Sequence, residues 1–165
     1  MTSHEILGFM SSKLSTQILD DLFAEDKPFY KAVLAGVANA RKVRPLFLEK
    51  LPRTERHPMM VNALSRPSME EAAGNLLRGW LLKKQKSLLC DFLDALGITH
   101  NEGILDTLPD SVEDAKLNAA VEKLLATHPQ EVVAIYLLAF DGMNEVRWPN
   151  LDALLQKDAR LQLGG

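Results

Sequence analysis

The chain has 165 residues, 47% of them hydrophobic and 25% charged, with a net charge of −3. That is enough for one domain with its own core, and it excludes gross disorder. A single cysteine, Cys90, excludes an internal disulfide and suits a reducing compartment.

No stretch approaches the roughly 20 apolar residues of a membrane span, and no basic region followed by an apolar run opens the chain. A soluble cytoplasmic protein without a secretory signal is expected.

Thr2–Glu25 places Leu7, Met10, Leu14, Ile18 and Leu22 at helical spacing, with Thr2 and Glu5 in a capping-box pattern. Gly8 and the Ser11–Ser12 pair weaken its middle, so one helix or two short ones fit. Pro28 suits the first turn of the next helix, which has Phe29, Val33, Gly36, Val37 and Ala40 on one side. Gly36 and the alanines predict a close helix–helix approach there. Pro45, Pro52, Pro58 and Pro67 then divide 44–67 into pieces that predict short helices joined at angles.

Ser68–Gly97 reads as the organising element, one long helix over 68–96. Ser68 with Glu71 marks its start as a capping box, and Gly97 sits where a left-handed residue ends a helix. Its apolar face turns by roughly a third of a circle partway along. Met69, Ala73, Leu76, Leu77, Trp80 and Leu81 form the early stripe, and Leu88, Leu89, Phe92, Leu93 and Leu96 the late one. A straight helix with this pattern meets one set of neighbours early and another late; a kink near Gly79 is the alternative.

Residues 98–110 have no helical period and read as a loop. Ser111 with Asp114 predicts the next start, with Leu117, Val121, Leu124 and Leu125 as the stripe. Val132–Phe140 is apolar without a break, and Pro129, Glu131 and Gly142 favour a helix over a strand. Apolar all round, it predicts either the centre of the fold or half of a subunit interface. Asn150 is expected to cap a last short helix. Trp148 reads as a half-exposed anchor or, more commonly for such a residue, as cover for that helix.

The elements together predict an all-α, single-domain, irregular bundle of about seven or eight helices. N-terminal helices fall within 3–66, the long central helix over 68–96 and C-terminal helices within 111–158.

Two polar groupings stand out. Asp94, His100 and Glu102 lie at the end of the long helix, with Asp91 behind and Asp106 ahead. A carboxylate and an imidazole there are the donor types for metal binding or acid–base work. The spacing matches no Glu-x-x-His or His-Glu-x-x-His motif, so solvated carboxylates and a loop-holding histidine are the plainer reading. The second grouping is Arg41, Lys42, Arg44, Arg53 and Arg56, a basic run of the kind that marks nucleic-acid contact. Glu49 and Glu55 dilute it, Phe47 is the one aromatic ring among 41–66, and the isoelectric point is near 5.8.

The halves differ in charge: residues 1–86 carry 14 Lys/Arg and 9 Asp/Glu, and residues 87–165 carry 5 and 13. An acidic partner for the basic half, or the two halves neutralising each other, fits that asymmetry. His4, His57, His100 and His128 are scattered, and neither a nucleophile elbow nor a phosphate loop occurs. No cofactor is implied. The sequence points to a non-enzymatic module that docks on another protein or on itself. A small-molecule or metal-dependent enzyme at Asp94, His100 and Glu102, and a nucleic-acid binder through 41–66, are the alternatives.

Overall fold

The computed structural model describes residues 1–164. Among them are ten α-helices, two 3-10 turns and no β-strand. The helices are α1 (Ser3–Phe9), α2 (Ser12–Glu25), α3 (Lys27–Ala40), α4 (Pro45–Glu49) and α5 (Arg53–Leu64), then α6 (Glu70–Lys84), α7 (Lys86–Ala95), α8 (Asp114–Thr127), α9 (Gln130–Met143) and α10 (Pro149–Lys157). The chain divides into two compact units, residues 1–80 and 81–163. No helix of the described residues is long and apolar enough to cross a membrane.

The helix count exceeds the seven or eight expected because two segments are each cut in two. Met10 is extended, and Ser11 restarts the chain as α2 by accepting the Leu14 N–H at 3.2 Å. The second cut falls at Gln85, whose φ of −116° and ψ of 26° interrupt the helix expected over 68–96. Gly79 stays helical. The break separates the two apolar stripes, and each helix buries its own.

In the first unit, Thr2 caps α1 as expected: its N–H donates to Glu5 Oε2 at 2.8 Å. Asp26 caps α3 by accepting the Phe29 N–H, with Pro28 in the first turn. The α3 C-terminus closes through Lys42 at φ +57°: the Val43 N–H reaches the Ala38 carbonyl at 3.0 Å and the Lys42 N–H the Asn39 carbonyl at 3.1 Å. α5 starts at Arg53 and runs through Pro58, where the sequence predicted a break.

Ser68 does not cap the sixth helix, because Pro67–Met69 forms a 3-10 turn and α6 opens at Glu70. The close approaches come at other glycines than Gly36. A Cβ on Gly74 would lie 3.3 Å from Ser3 Oγ and one on Gly8 3.2 Å from Ser65 Cβ, against 4.0 Å to Met69 Cε for Gly36.

In the second unit, α7 ends as predicted. Gly97 is left-handed at φ +70°, and the Ile98 N–H donates to the Leu93 carbonyl at 2.9 Å. α8 opens at Asp114 behind an extended Glu113, so Ser111 is not its cap. Asn150 lies inside α10, which Pro149 starts; its side-chain amide donates instead to the Val112 carbonyl and Asp114.

α9 is buried from Val132 to Asp141 within a single chain. It packs on α8, α10 and the 3-10 turn Ala159–Leu161. Its Phe140 ring meets Phe92 at 5.4 Å and Trp148 at 5.2 Å, while Tyr136 meets Phe92 at 5.4 Å. Each such side chain contributes roughly 1.5–3 kcal/mol through burial. Trp148 is only 2% exposed and its indole N–H donates to the Pro109 carbonyl at 2.9 Å, so it is core rather than an anchor.

Candidate functional site

Every histidine is closed onto a carboxylate of another element. His4 Nδ1 lies 2.6 Å from Glu70 Oε2, His57 Nδ1 2.8 Å from Asp20 Oδ1, His100 Nε2 2.7 Å from Asp94 Oδ1 and His128 Nε2 2.8 Å from Asp91 Oδ2. Three of the four partners are far away in the sequence, at separations of 66, 37 and 37 residues. The pairs were therefore invisible to spacing, and only the Asp94–His100 neighbourhood was singled out.

The His57 pair sits at the wall of a groove of about 720 Å³ in the first unit, lined among others by Lys13, Thr16, Asp20, Arg53 and Thr54. Behind it the network continues inward, for the Tyr30 hydroxyl lies 2.8 Å from His57 Nε2 and 3.7 Å from Met60 Sδ. Burial pushes His57 below its ordinary value, even though the hydrogen bond and charge of Asp20 act the other way. The imidazole is neutral at pH 7. Nδ1 donates to Asp20, and Nε2 accepts the Tyr30 hydroxyl.

Burial also pushes the Tyr30 hydroxyl up. Tyr30 is 4% exposed, and its oxygen lies against His57 Nε2 and Met60 Sδ. A base–hydroxyl pair is present, but no reactive atom of it reaches solvent. The relay joins α2, α3 and α5 as a structural polar core.

Of the three residues expected at the other candidate site, Asp94 and His100 meet at 2.7 Å while Glu102 turns away. The Gly103 N–H donates to His100 Nδ1 at 2.9 Å, which makes that nitrogen the bare one. Nε2 then carries the proton and donates to Asp94, so both ring nitrogens are engaged in holding the loop. Glu102 turns to Lys86 at 3.1 Å. Asp91 is taken by His128. Among the described residues, no three or more His, Cys, Asp or Glu side chains gather as a metal cluster would need. Burial, with Asp94 and Asp91 nearby, pushes the half-buried Cys90 thiol up, away from the reactive thiolate.

The basic segment separates into two parts. Arg56 is 6% exposed, donates to the Glu49 carbonyl at 3.0 Å and lies over the Phe23 and Tyr30 rings at 5.5 and 5.7 Å. Arg53 lies 4.9 Å over Phe23. Arg56 is therefore a core guanidinium and not a contact for a phosphate.

Arg41, Lys42 and Arg44 are exposed on the turn between α3 and α4, and Lys50 is exposed after it. Between them, α4 buries only Leu48 and leaves Leu46 and Phe47 at 56% and 54% exposure. Sequence reasoning gave no sign that these apolar residues face out, because the pattern LFLEKL alone reads as a packed short helix. No family model, curated protein or solved structure matches this chain.

Proposed function

We propose that the chain is a non-enzymatic interaction module, working in the cytoplasm, that docks on an acidic partner surface through the corner between α3 and α4. The observation behind this reading is the coincidence of apolar exposure and charge at that corner. Leu46 and Phe47 stand more than half exposed, with Arg41, Lys42, Arg44 and Lys50 around them and Glu49 the one acid within 41–50. Exposed apolar side chains rimmed by charge are the signature of a contact surface.

The rest of the molecule supports binding over chemistry. The histidines are spent on holding helices and one loop, the Tyr30 oxygen is enclosed, and Asp94 and His100 engage each other while Glu102 turns to Lys86. Self-association loses its main argument, since α9 finds its cover within one chain. Nucleic-acid binding through 41–66 loses Arg56 to the core.

The test is size fractionation of host-cell extract, with and without nuclease. Wild type should travel in large species that survive nuclease, and Leu46→Glu/Phe47→Glu should travel as the free chain. If both run as free chain, the reading is wrong. If the large species vanish with nuclease, the nucleic-acid alternative takes its place.

A further inference from the structure

Resting on the docking corner proposed above, we infer that its occupant is an anionic lipid surface. α4 is five residues long and seats itself through Leu48 alone. Leu46 and Phe47 are adjacent and each more than half exposed. A partner helix is read through side chains three and four residues apart, and two neighbours on a single turn offer no such stripe.

A bilayer interface needs no stripe. It is a soft plane into which an exposed leucine and phenylalanine can sink to the level of the upper acyl chains. Arg44, the extended residue that precedes α4, and Lys50, which follows it, put a cation at each end of the short helix that carries the ring. Arg41 and Lys42, on the left-handed turn that closes α3, add two more. Their long stems let the charges rest at headgroup level while the apolar pair goes deeper.

The chain as a whole carries −3, so an anionic surface attracts this corner and repels much of the remainder. That asymmetry orients the molecule. A lone Phe47 ring, by contrast, is a poor platform for the successive bases of a nucleic acid.

The test is co-sedimentation of the full chain with sucrose-loaded vesicles of phosphatidylcholine, with or without about 30% phosphatidylserine. The chain should pellet only with the anionic vesicles at about 0.1 M salt and be released at about 0.5 M. Arg44→Gln and Lys50→Gln should each weaken binding about fivefold. Phe47→Ser should weaken it about tenfold, with thermal melting unchanged because the ring is exposed. Pelleting that ignores phosphatidylserine, or anionic binding untouched by Phe47→Ser, would overturn the inference. If neither vesicle pellets the chain while extract fractionation still separates wild type from Leu46→Glu/Phe47→Glu, the docking corner stands and its occupant is a protein.

Discussion

Tyr30→Phe deletes one hydroxyl, and the structure sets what that costs. His57 Nε2 would be left as a buried acceptor, on a side chain 1% exposed, without its hydroxyl donor. The hydrogen bond itself is worth about 1 kcal/mol net, and stranding its partner brings the expected loss to about 2–3 kcal/mol. Tyr30→Phe combined with His57→Leu strands nothing inside, because the remaining Asp20 is 47% exposed and can be hydrated. The double variant should therefore cost about 1–2 kcal/mol less than the two single costs added together.

The pH dependence has a definite sign. With His57 held below its ordinary 6.5 by burial, the unfolded chain takes up that proton more readily than the folded one. The stabilisation is complete above pH 6.5 and is lost as pH falls through the lower folded value. His57→Leu should flatten that loss. Urea unfolding followed by far-ultraviolet circular dichroism, from about pH 8 to about pH 5, reads both effects. Strictly additive costs, with wild-type and His57→Leu pH profiles that run parallel, would refute the relay.

Leu93→Ala and Ile135→Ala empty sites that are 1% and 0% exposed. Each should cost about 2–5 kcal/mol in the same unfolding assay, and a cost below about 0.5 kcal/mol would move that residue out of the core. Partial burial pushes the Glu70 carboxyl up, but the backbone N–H groups of His4 and Ser3 and their side chains outweigh it and hold it at about 2. The stability this supplies is present above pH 4.5 and is lost as pH falls toward 2. Glu70→Gln should show a flatter acid limb, and its cost at neutral pH is moderated by the 44% exposure of the side chain; coincident acid limbs would contradict the assignment. Lys42 and Gly97 close their helices in the same left-handed conformation. Lys42→Gly should stabilise the chain by up to about 1 kcal/mol and Gly97→Ala should cost about as much, seen as opposite shifts in melting temperature; shifts of the same sign would be a failure.

Helix identity was readable because it is local. Apolar periodicity marked α2, α3 and α8, whereas the unbroken apolar run Val132–Phe140 read as helix rather than strand through Pro129, Glu131 and Gly142. Gly97 was readable for the same reason, since the conformation that ends α7 is one that glycine adopts without strain. The Ser68 and Ser111 caps failed where a 3-10 turn or an extended residue took over the entry to the helix. The Gln85 break has no local cause, for Lys84, Gln85 and Lys86 are all good helix formers. Its trace in the sequence was the turned apolar stripe, which fits a straight helix with two sets of neighbours or a kink near Gly79; the break comes six residues later, at Gln85.

An all-α chain, the positions of most helices and the stripes they bury follow from local pattern, because hydrophobic period and end signals act within a few residues. Tertiary structure alone decided what the polar groups do. It paired His4 with Glu70 and His57 with Asp20 across 66 and 37 residues, and it drew Arg56 inside while Arg44 stayed out. It also left Leu46 and Phe47 uncovered. Burial of an apolar residue requires a neighbour to cover it, and the neighbours available to a five-residue helix are set by the packing of distant elements, not by its own pattern.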